Sequence, residues 1–186
     1  MEKGRVIAGQ KRFALTIERL CQQLIERHGS FEDTCLIGIQ PRGVFLGDRL
    51  HERLEALVDQ GNVEYGKLDI TFYRDDFRTR AKPLSASPTE VDFLVEGKKV
   101  ILVDDVLYTG RTVQAALTAL NNYGRPKKVE LLALVDRRFN RHLPIQGDYV
   151  GMTVDAVDKA FVRVEWKEQT GEDRVLIFAD KSEAEG

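Results

Sequence analysis

Two adjacent carboxylates, Asp104 and Asp105, follow the apolar run Val100–Val103 and precede a Thr-Gly-Arg-Thr turn at residues 109–112. The apolar run is typical of a buried strand, and the residues after the turn have helical spacing. A strand would therefore bring two acids, and a helix N-terminus would bring backbone N–H groups, into one small space. Carboxylates accept hydrogen bonds from hydroxyl groups and N–H groups bind phosphate oxygens, so the segment predicts a site for a phosphorylated sugar.

Each half of this motif also has a simpler interpretation. Adjacent acids occur in solvated loops that cap the next helix, and Thr109 or Thr112 is a possible ordinary N-cap with Gly110 in the turn. Two neighbouring carboxylates repel each other unless something neutralises them, and a Mg²⁺-bound polyol phosphate does so. The occurrence of both halves together favours the ligand site over the cap.

A second candidate is the segment Gln40-Pro41-Arg42-Gly43, which leaves one apolar run and enters a helical pattern. A guanidinium at this position can bind a pyrophosphate through two parallel hydrogen bonds. The alternative interpretation is a surface arginine.

Two further charged segments follow predicted strands. Arg74, Asp75 and Asp76 open a segment rich in cations, which is either a lid that closes over a polyanion or a solvated loop. Asp136 and Arg137 end another apolar run and either line a pocket or form a strand-end salt bridge.

These candidates are positioned by alternating helices and strands. Helical spacing predicts helices at residues 10–28, 44–58 and 112–122. Apolar runs predict strands at residues 35–39, 68–73, 99–103, 129–135, 149–154, 161–166 and 175–178. Such alternation is typical of an α/β fold with a parallel sheet covered on both faces, where ligands bind at the carboxyl ends of the strands. Charged loops are predicted at those ends, at residues 40–43, 74–82, 104–112 and 136–142.

Composition restricts the class of protein. The chain has 186 residues, of which 42% are apolar and 31% charged, and these values predict one soluble domain. A net charge of −2 argues against a generally basic nucleic-acid binder. The sequence shows neither a long apolar run nor a signal-peptide pattern, so we expect a cytoplasmic protein without a membrane segment. Cys21 and Cys35 lie in apolar patterns and are expected to be buried free thiols.

The run Val100–Thr112 resembles the motif with which type I phosphoribosyltransferases bind phosphoribosyl pyrophosphate (PRPP). The chain resembles the PyrR family more closely, over roughly residues 10–155. Members of that family are bifunctional pyrimidine-operon regulators and uracil phosphoribosyltransferases. The resemblance is carried by Asp69–Phe77, Gly124–Pro126, Leu134–Arg138 and Leu143–Gly151. It implies one phosphoribosyltransferase domain with a mostly parallel central sheet flanked by helices, a flexible lid at about residues 74–96, and a small hood from the terminal segments.

The resemblance also implies a role for each candidate residue. Catalysis would depend on Asp104 and Asp105, which hold the ribose hydroxyls, and on Arg42, which binds pyrophosphate. The lid would begin with Arg74, Asp75 and Asp76, and Asp136 and Arg137 would lie beside the base. The expected PRPP-binding residues are Pro41, Arg42, Gly43, Asp104, Asp105, Val106, Leu107, Tyr108, Thr109, Gly110, Arg111 and Thr112. The implied reaction converts uracil and PRPP to UMP and pyrophosphate, with Mg²⁺ brought by PRPP, in a homodimer or larger assembly.

Departures from the family pattern concern mainly the regulatory activity. RNA-binding members typically have Thr and His where this chain has Glu18 and Gln22, and basic residues where it has Gln146 and Met152. Of the expected RNA-contacting cations, Arg19 and Arg141 remain. Loss of cations removes phosphate contacts, so the sequence argues against binding of pyrimidine-operon mRNA. Pro41 replaces a common Thr and removes an N–H donor from the pyrophosphate loop.

The sequence leaves three activities open. The first is a uracil phosphoribosyltransferase of pyrimidine salvage. The second is a nucleotide-sensing regulator of transcription that binds pyrimidine-operon mRNA. The third is a phosphoribosyltransferase for another base, such as a purine, because the PRPP half of such a site would look the same.

Overall fold

The computed structural model describes residues 4–59, 62–75, 86–156 and 159–185. The strands are β1 (Arg5–Ala8), β2 (Thr34–Ile39), β3 (Glu64–Leu68), β4 (Lys99–Leu107), β5 (Lys128–Arg138), β6 (Tyr149–Asp155), β7 (Phe161–Glu165) and β8 (Arg174–Phe178). The helices are α1 (Gln10–His28), α2 (Gly43–Leu57), α3 (Arg111–Leu120), α4 (Lys167–Thr170) and α5 (Lys181–Glu185).

The central sheet is parallel and has five strands in the order β3-β2-β4-β5-β6. Its inner strands are apolar because helices cover both faces. Leu36 and Ile101 pack with α1 and α2 in one cluster, whereas the adjacent residues Ile37 and Leu102 pack with α3 in another. The predicted α/β fold with a covered, mostly parallel sheet is therefore confirmed.

A second, three-stranded antiparallel sheet has the order β1-β8-β7 and joins the N-terminal segment to the C-terminal one. β1 is too short for a periodic pattern, and the sequence did not predict it as a strand. The small sheet contacts the central one through β7 and β4, and the carbonyl of Val164 in β7 accepts a hydrogen bond from Arg42 Nη2 at 3.2 Å. This small sheet therefore stands over the β2–α2 loop.

One predicted strand, at residues 68–73, is wrong. The strand is Glu64–Leu68, and Thr71–Tyr73 form a turn of 3₁₀ helix. The strand lies at the edge of the sheet and mixes polar with apolar residues, so it lacks the apolar run that marks a buried strand. The apolar run after it does not pack as a strand, since the side chain of Phe72 is 68% exposed.

The strands that carry the candidate site extend further than predicted. β4 continues to Leu107 and β5 to Arg138, so the loops predicted to begin at residues 104 and 136 start later. Polar side chains ended the predicted strands, but the backbone continues the ladder, with Asp104 opposite Ala133. Both acids are therefore held on a rigid element.

Three further predictions concern the C-terminal tail, the cysteines and membrane segments. The tail after Asp180, predicted to be frayed, includes α5, where the carbonyl of Ala184 accepts a hydrogen bond from Arg163 Nη1 at 2.6 Å. Cys21 and Cys35 are buried free thiols, as predicted. Within the described ranges, no helix has the length and apolarity needed to cross a membrane.

Candidate active site

Asp104 and Asp105 lie side by side in β4, 5% and 4% exposed. The N–H of Asp105 donates to Asp104 Oδ1 at 2.9 Å. Burial raises the pKa of the Asp104 carboxyl, and the neighbouring charge of Asp105 raises it further, while Arg42 and Arg74 act in the opposite direction. Two buried acids in this environment are stabilised by groups that donate hydrogen bonds or carry positive charge.

Arg42 stands at the N-terminus of α2, and its side chain is half exposed. Its Nε donates to Asp105 Oδ2 at 2.7 Å. The backbone of this loop lies directly on β4, because a Cβ at Gly43 would be 2.3 Å from the carbonyl oxygen of Val103. Only glycine permits this approach, and it brings Arg42 to the acids. The preceding residue, Pro41, follows a cis peptide bond.

A cavity of about 500 Å³ opens beside Asp104. The phosphate loop, which we define as Tyr108–Gly110, connects β4 to α3 on one side of it. Gly110 has a φ of +91°, a backbone conformation that favours glycine, and the helix begins at the next residue. The first N–H groups of a helix have no partner within the helix, so this cavity is suited to an anion. Its lining residues are Arg74, Asp75, Asp104, Val106, Leu107, Tyr108, Thr109, Gly110, Arg111, Thr112 and Val113.

A second cavity, of about 170 Å³, opens beside Asp105. It is smaller than the ~300–1,000 Å³ typical of drug-sized ligands, which suits a single ring. The guanidinium carbon of Arg137 lies 3.9 Å from the ring centroid of Tyr108 in this cavity. The lining residues are Arg42, Asp105, Val106, Tyr108, Arg137, Phe161 and Val162. Phe161 and Val162 come from the small sheet, and no motif in the sequence identified either of them.

Residues 141–143, which we call the strap, contact the phosphate loop from behind. The N–H groups of His142 and Leu143 donate to the carbonyl oxygen of Thr109 at 3.0 and 3.2 Å. The guanidinium of Arg141 donates to the carbonyl oxygen of Tyr108 and to Asp136 Oδ1. Asp136, predicted to lie beside the base, is thus paired with the strap.

Arg74 and Asp75, the described part of the predicted lid start, both line the larger cavity. The Asp75 carboxylate forms an ion pair with the Arg111 guanidinium at the start of α3. The second half of the predicted lid is attached to the sheet, since Glu90 pairs with Lys67 through backbone hydrogen bonds of 2.8 Å. Asp76 and the part of the predicted lid up to residue 85 lie outside the described residues.

The residues predicted for RNA contact have partners within the protein. Arg19 Nη2 donates to the carbonyl oxygens of Gly151 and Val150 at 2.5 and 3.3 Å. Glu18 accepts two hydrogen bonds from Arg53, which lower the pKa of the Glu18 carboxyl. This part of α1 therefore exposes a paired acid beside an arginine bound to the backbone of β6.

A metal would find few ligands supplied by the protein alone. Among the residues that the structure describes, no group of three or more His, Cys, Asp or Glu side chains could hold a metal ion. Mg²⁺ commonly keeps several waters and binds one or two carboxylates together with substrate phosphates. The pair Asp104 and Asp105 fits an ion of that kind, bound together with a phosphorylated substrate.

Comparison with known proteins gives consistent results. The phosphoribosyl transferase domain family matches residues 7–169. The bifunctional protein PyrR of Enterococcus faecalis is 45% identical over 87% of this chain and 89% of its own length. That of Caldicellulosiruptor bescii is 41% identical over 95% of this chain and 96% of its own.

Solved structures show the same fold at low identity. The hypoxanthine phosphoribosyltransferase of Trypanosoma cruzi aligns with a TM-score of 0.69 and 15% identity, over 94% of this chain and 95% of its own. That of Staphylococcus aureus aligns with a TM-score of 0.68 and 18% identity, over 94% and 92%.

Proposed function

The chain belongs to the phosphoribosyltransferase domain family and, within it, to the PyrR family; from that premise we propose that it is a uracil phosphoribosyltransferase that converts uracil and PRPP to UMP and pyrophosphate. One observation carries the proposal. Adjacent residues of β4 line different cavities, Asp104 the one at the phosphate loop and Asp105 the one beneath the small sheet. A ribose at the two carboxylates would extend its 5-phosphate into the first cavity and present its anomeric carbon to the second.

Asp104 and Asp105 would hold the ribose through its 2- and 3-hydroxyls. Both carboxylates are buried, and burial disfavours the charged form of Asp104 in particular. Hydroxyl groups that donate to these oxygens offset the lost hydration, so substrate binding relieves an electrostatic cost already present in the fold. The same hydrogen bonds would orient the sugar relative to β4.

The 5-phosphate would be bound by the backbone N–H groups of the phosphate loop and of the start of α3, and by the hydroxyls of Thr109 and Thr112. All of these residues line the larger cavity. Backbone donors carry no titratable charge and need no side-chain ordering, so the phosphate meets a preorganised site.

Arg42 would bind the departing pyrophosphate. It is half exposed, lines the smaller cavity, and is anchored through Asp105 beside the expected position of the anomeric carbon. As the bond from that carbon to pyrophosphate breaks, negative charge grows on the leaving group and positive charge grows on the sugar. A guanidinium near the first and carboxylates near the second stabilise both.

Mg²⁺ is part of this proposal as a cofactor that enters with PRPP. Asp104 and Asp105 are the residues that would hold it, together with oxygens of the substrate. When bound, the ion supplies positive charge that offsets the pyrophosphate.

The base would lie in the smaller cavity, beside Arg137 and Phe161. The space is suited to one flat ring between an aromatic residue and the Tyr108–Arg137 stack. The uracil nitrogen would bond to the anomeric carbon as the bond from that carbon to pyrophosphate breaks, and the proton of that nitrogen would pass to the departing pyrophosphate or to solvent. Water must be kept from the site, because it would otherwise attack the same carbon.

A steady-state assay with uracil, PRPP and Mg²⁺ tests the proposal, with UMP measured as the product. We expect UMP to form and pyrophosphate to be released in equal amount. Failure to form UMP contradicts it. Competition among uracil, hypoxanthine and orotate decides the base, and a preference for hypoxanthine would favour a purine enzyme instead.

Binding of pyrimidine-operon mRNA is the alternative activity, and the pairing of Glu18 with Arg53 and of Arg19 with β6 argues against it. Fixed guanidinium groups and an added acid reduce the attraction to a phosphate backbone. A titration with pyrimidine-operon leader RNA at several salt concentrations is the test. We expect affinity no greater than for an unrelated RNA of equal length.

A further inference from the structure

We infer that Arg141 is a positioning residue, which holds the phosphate loop in its anion-binding conformation from outside the site. The inference rests on the proposed function, because it assigns the loop to the 5-phosphate of PRPP. Among the described residues that line the two cavities, Arg141 is absent. Its effect must therefore pass through the groups that it contacts.

Arg141 has two such contacts. Nη1 donates to the carbonyl oxygen of Tyr108, and Nη2 donates to Asp136 Oδ1. The side chains of Arg141 and Asp136 are 22% and 14% exposed, so solvent screens this ion pair only in part. Asp136 neutralises the guanidinium and fixes its position at the end of β5. The other guanidinium nitrogen, Nη1, is thereby directed at the phosphate loop.

The carbonyls of the phosphate loop determine where its N–H groups point. The carbonyl of Tyr108 shares a peptide unit with the N–H of Thr109, and the carbonyl of Thr109 shares one with the N–H of Gly110. In a trans peptide the N–H and the C=O point in opposite directions. The strap donates hydrogen bonds to both carbonyl oxygens, to the first through Arg141 and to the second through the N–H groups of His142 and Leu143. The N–H groups of Thr109 and Gly110 are thereby directed away from the strap, and both residues line the cavity.

The guanidinium is needed for this role because of its shape. A planar fork can donate to a carboxylate and a carbonyl at once, whereas a lysine ammonium is a point charge on a flexible stem. Through Asp136, Arg141 also joins the phosphate loop to the end of β5. The residue after Asp136, Arg137, lines the smaller cavity. Arg141 thus sets the geometry between the phosphate side and the base side of the site.

An RNA contact is the other role that the sequence suggests for Arg141, and it makes a different prediction. A side chain that serves only to bind phosphates of an RNA can be removed without effect on PRPP. Removal of a positioning residue does affect PRPP binding, because the loop loses the hydrogen bond that fixes the carbonyl of Tyr108.

The test uses Arg141→Gln and Arg141→Lys, with Arg138→Gln as the matched control. Arg138 also lies near the end of β5 and pairs with a carboxylate, Asp155, but both side chains are more than half exposed. Two quantities are measured, the KM for PRPP against kcat, and the Kd of ribose 5-phosphate by calorimetry. Thermal unfolding of each variant monitors the fold.

We expect Arg141→Gln to raise the KM for PRPP and the Kd of ribose 5-phosphate by about 10- to 100-fold, the range for loss of a charged hydrogen bond. At saturating PRPP, kcat should change much less. Arg141→Lys should lie between that variant and the wild type, and Arg138→Gln should match the wild type. Asp136→Asn in the Arg141→Gln background should add little, because both changes break the same link.

Wild-type affinity for ribose 5-phosphate in a folded Arg141→Gln protein overturns the inference. Should that variant not fold, Arg141→Lys decides, and wild-type values for its KM and Kd overturn the inference equally. A wild-type protein that forms no UMP contradicts the proposed function instead. The binding of ribose 5-phosphate and its dependence on Arg141 would still be measured in that protein, so the two failures are distinguishable.

Discussion

Arg42 Nε donates to Asp105 Oδ2 at 2.7 Å, so the residue expected to bind pyrophosphate is bonded to one expected to bind ribose. The carboxylate is buried and the guanidinium is half exposed. The pair therefore joins the β2–α2 loop to β4 and aligns two groups that, under the proposed function, would act on opposite sides of one breaking bond.

Replacement of this arginine should affect catalysis far more than stability. We expect Arg42→Gln to raise the KM for PRPP and to lower kcat, with a combined loss in kcat/KM of about 100-fold or more. Because Arg42 is half exposed, we expect a loss of only about 1 kcal/mol in the free energy of unfolding. Steady-state kinetics and urea denaturation measure the two effects. A loss of stability without a change in kcat/KM would contradict the assigned role.

Asp104→Asn should lower activity but raise stability relative to the wild type at neutral pH. Burial raises the pKa of Asp104 above its unfolded value, so its contribution to stability is present below the unfolded pKa and is lost as the pH rises through the folded one. Asparagine does not ionise. We therefore expect the variant to gain stability relative to the wild type as the pH rises above about 4, while kcat/KM for PRPP falls. Urea denaturation between pH 4 and pH 8 measures the difference, and a variant that becomes relatively less stable with rising pH would refute the prediction.

Gly110→Ala should weaken PRPP binding through the backbone. The φ of +91° strains any residue with a Cβ, and that Cβ would also lie 3.2 Å from the Ile145 side chain. We expect a loss of about 1–3 kcal/mol in stability, together with a raised KM for PRPP. Gly171→Ala is the control, because Gly171 has a φ of +87° with no atom within 4 Å of its added Cβ. That variant should lose stability without a change in KM, and equal kinetic effects in both variants would exclude a specific role for the phosphate loop.

Asp75→Asn should strengthen PRPP binding at low salt. The Asp75 carboxylate lines the larger cavity and pairs with Arg111 at the start of α3, so it competes with phosphate for the same cation. Both side chains are about half exposed, so the effect should be modest, a fall of about twofold to fivefold in the KM for PRPP. The gain should shrink as salt rises. Asp155→Asn removes a similarly exposed carboxylate from Arg138 and should leave the KM unchanged.

The sequence predicted those parts of the site that lie in one continuous segment. Asp104, the phosphate loop and the start of α3 follow one another, so residue type and spacing are sufficient to place them. The predicted strand ends were less accurate. Asp104 and Asp136 were assigned to loops because they are charged, although the hydrogen-bonded ladder continues through them. The backbone satisfies its hydrogen bonds there whatever the side chain.

Parts of the site that depend on tertiary contacts could not be predicted. Phe161 lines the smaller cavity because β7, which pairs with β8, packs against β4. The link from Arg141 to Tyr108 spans 33 positions and depends on the path of the strap. Neither relationship leaves a periodic or composition signal in the chain.

The alternation of side chains along β4 has a consequence for recognition. Over the segment Val100–Val103, residues at even positions, such as Leu102, face α3, and residues at odd positions, such as Val103, face α1 and α2. Asp104 and Asp105 continue this order, one facing each side. Under the proposed function, these two adjacent side chains would lie at the two halves of a nucleotide, with the phosphate on the side of Asp104 and the base on the side of Asp105. Substitution of Phe161 or Val162, which line the smaller cavity and not the larger one, would then change which base is accepted while the contacts to the phosphate stay intact.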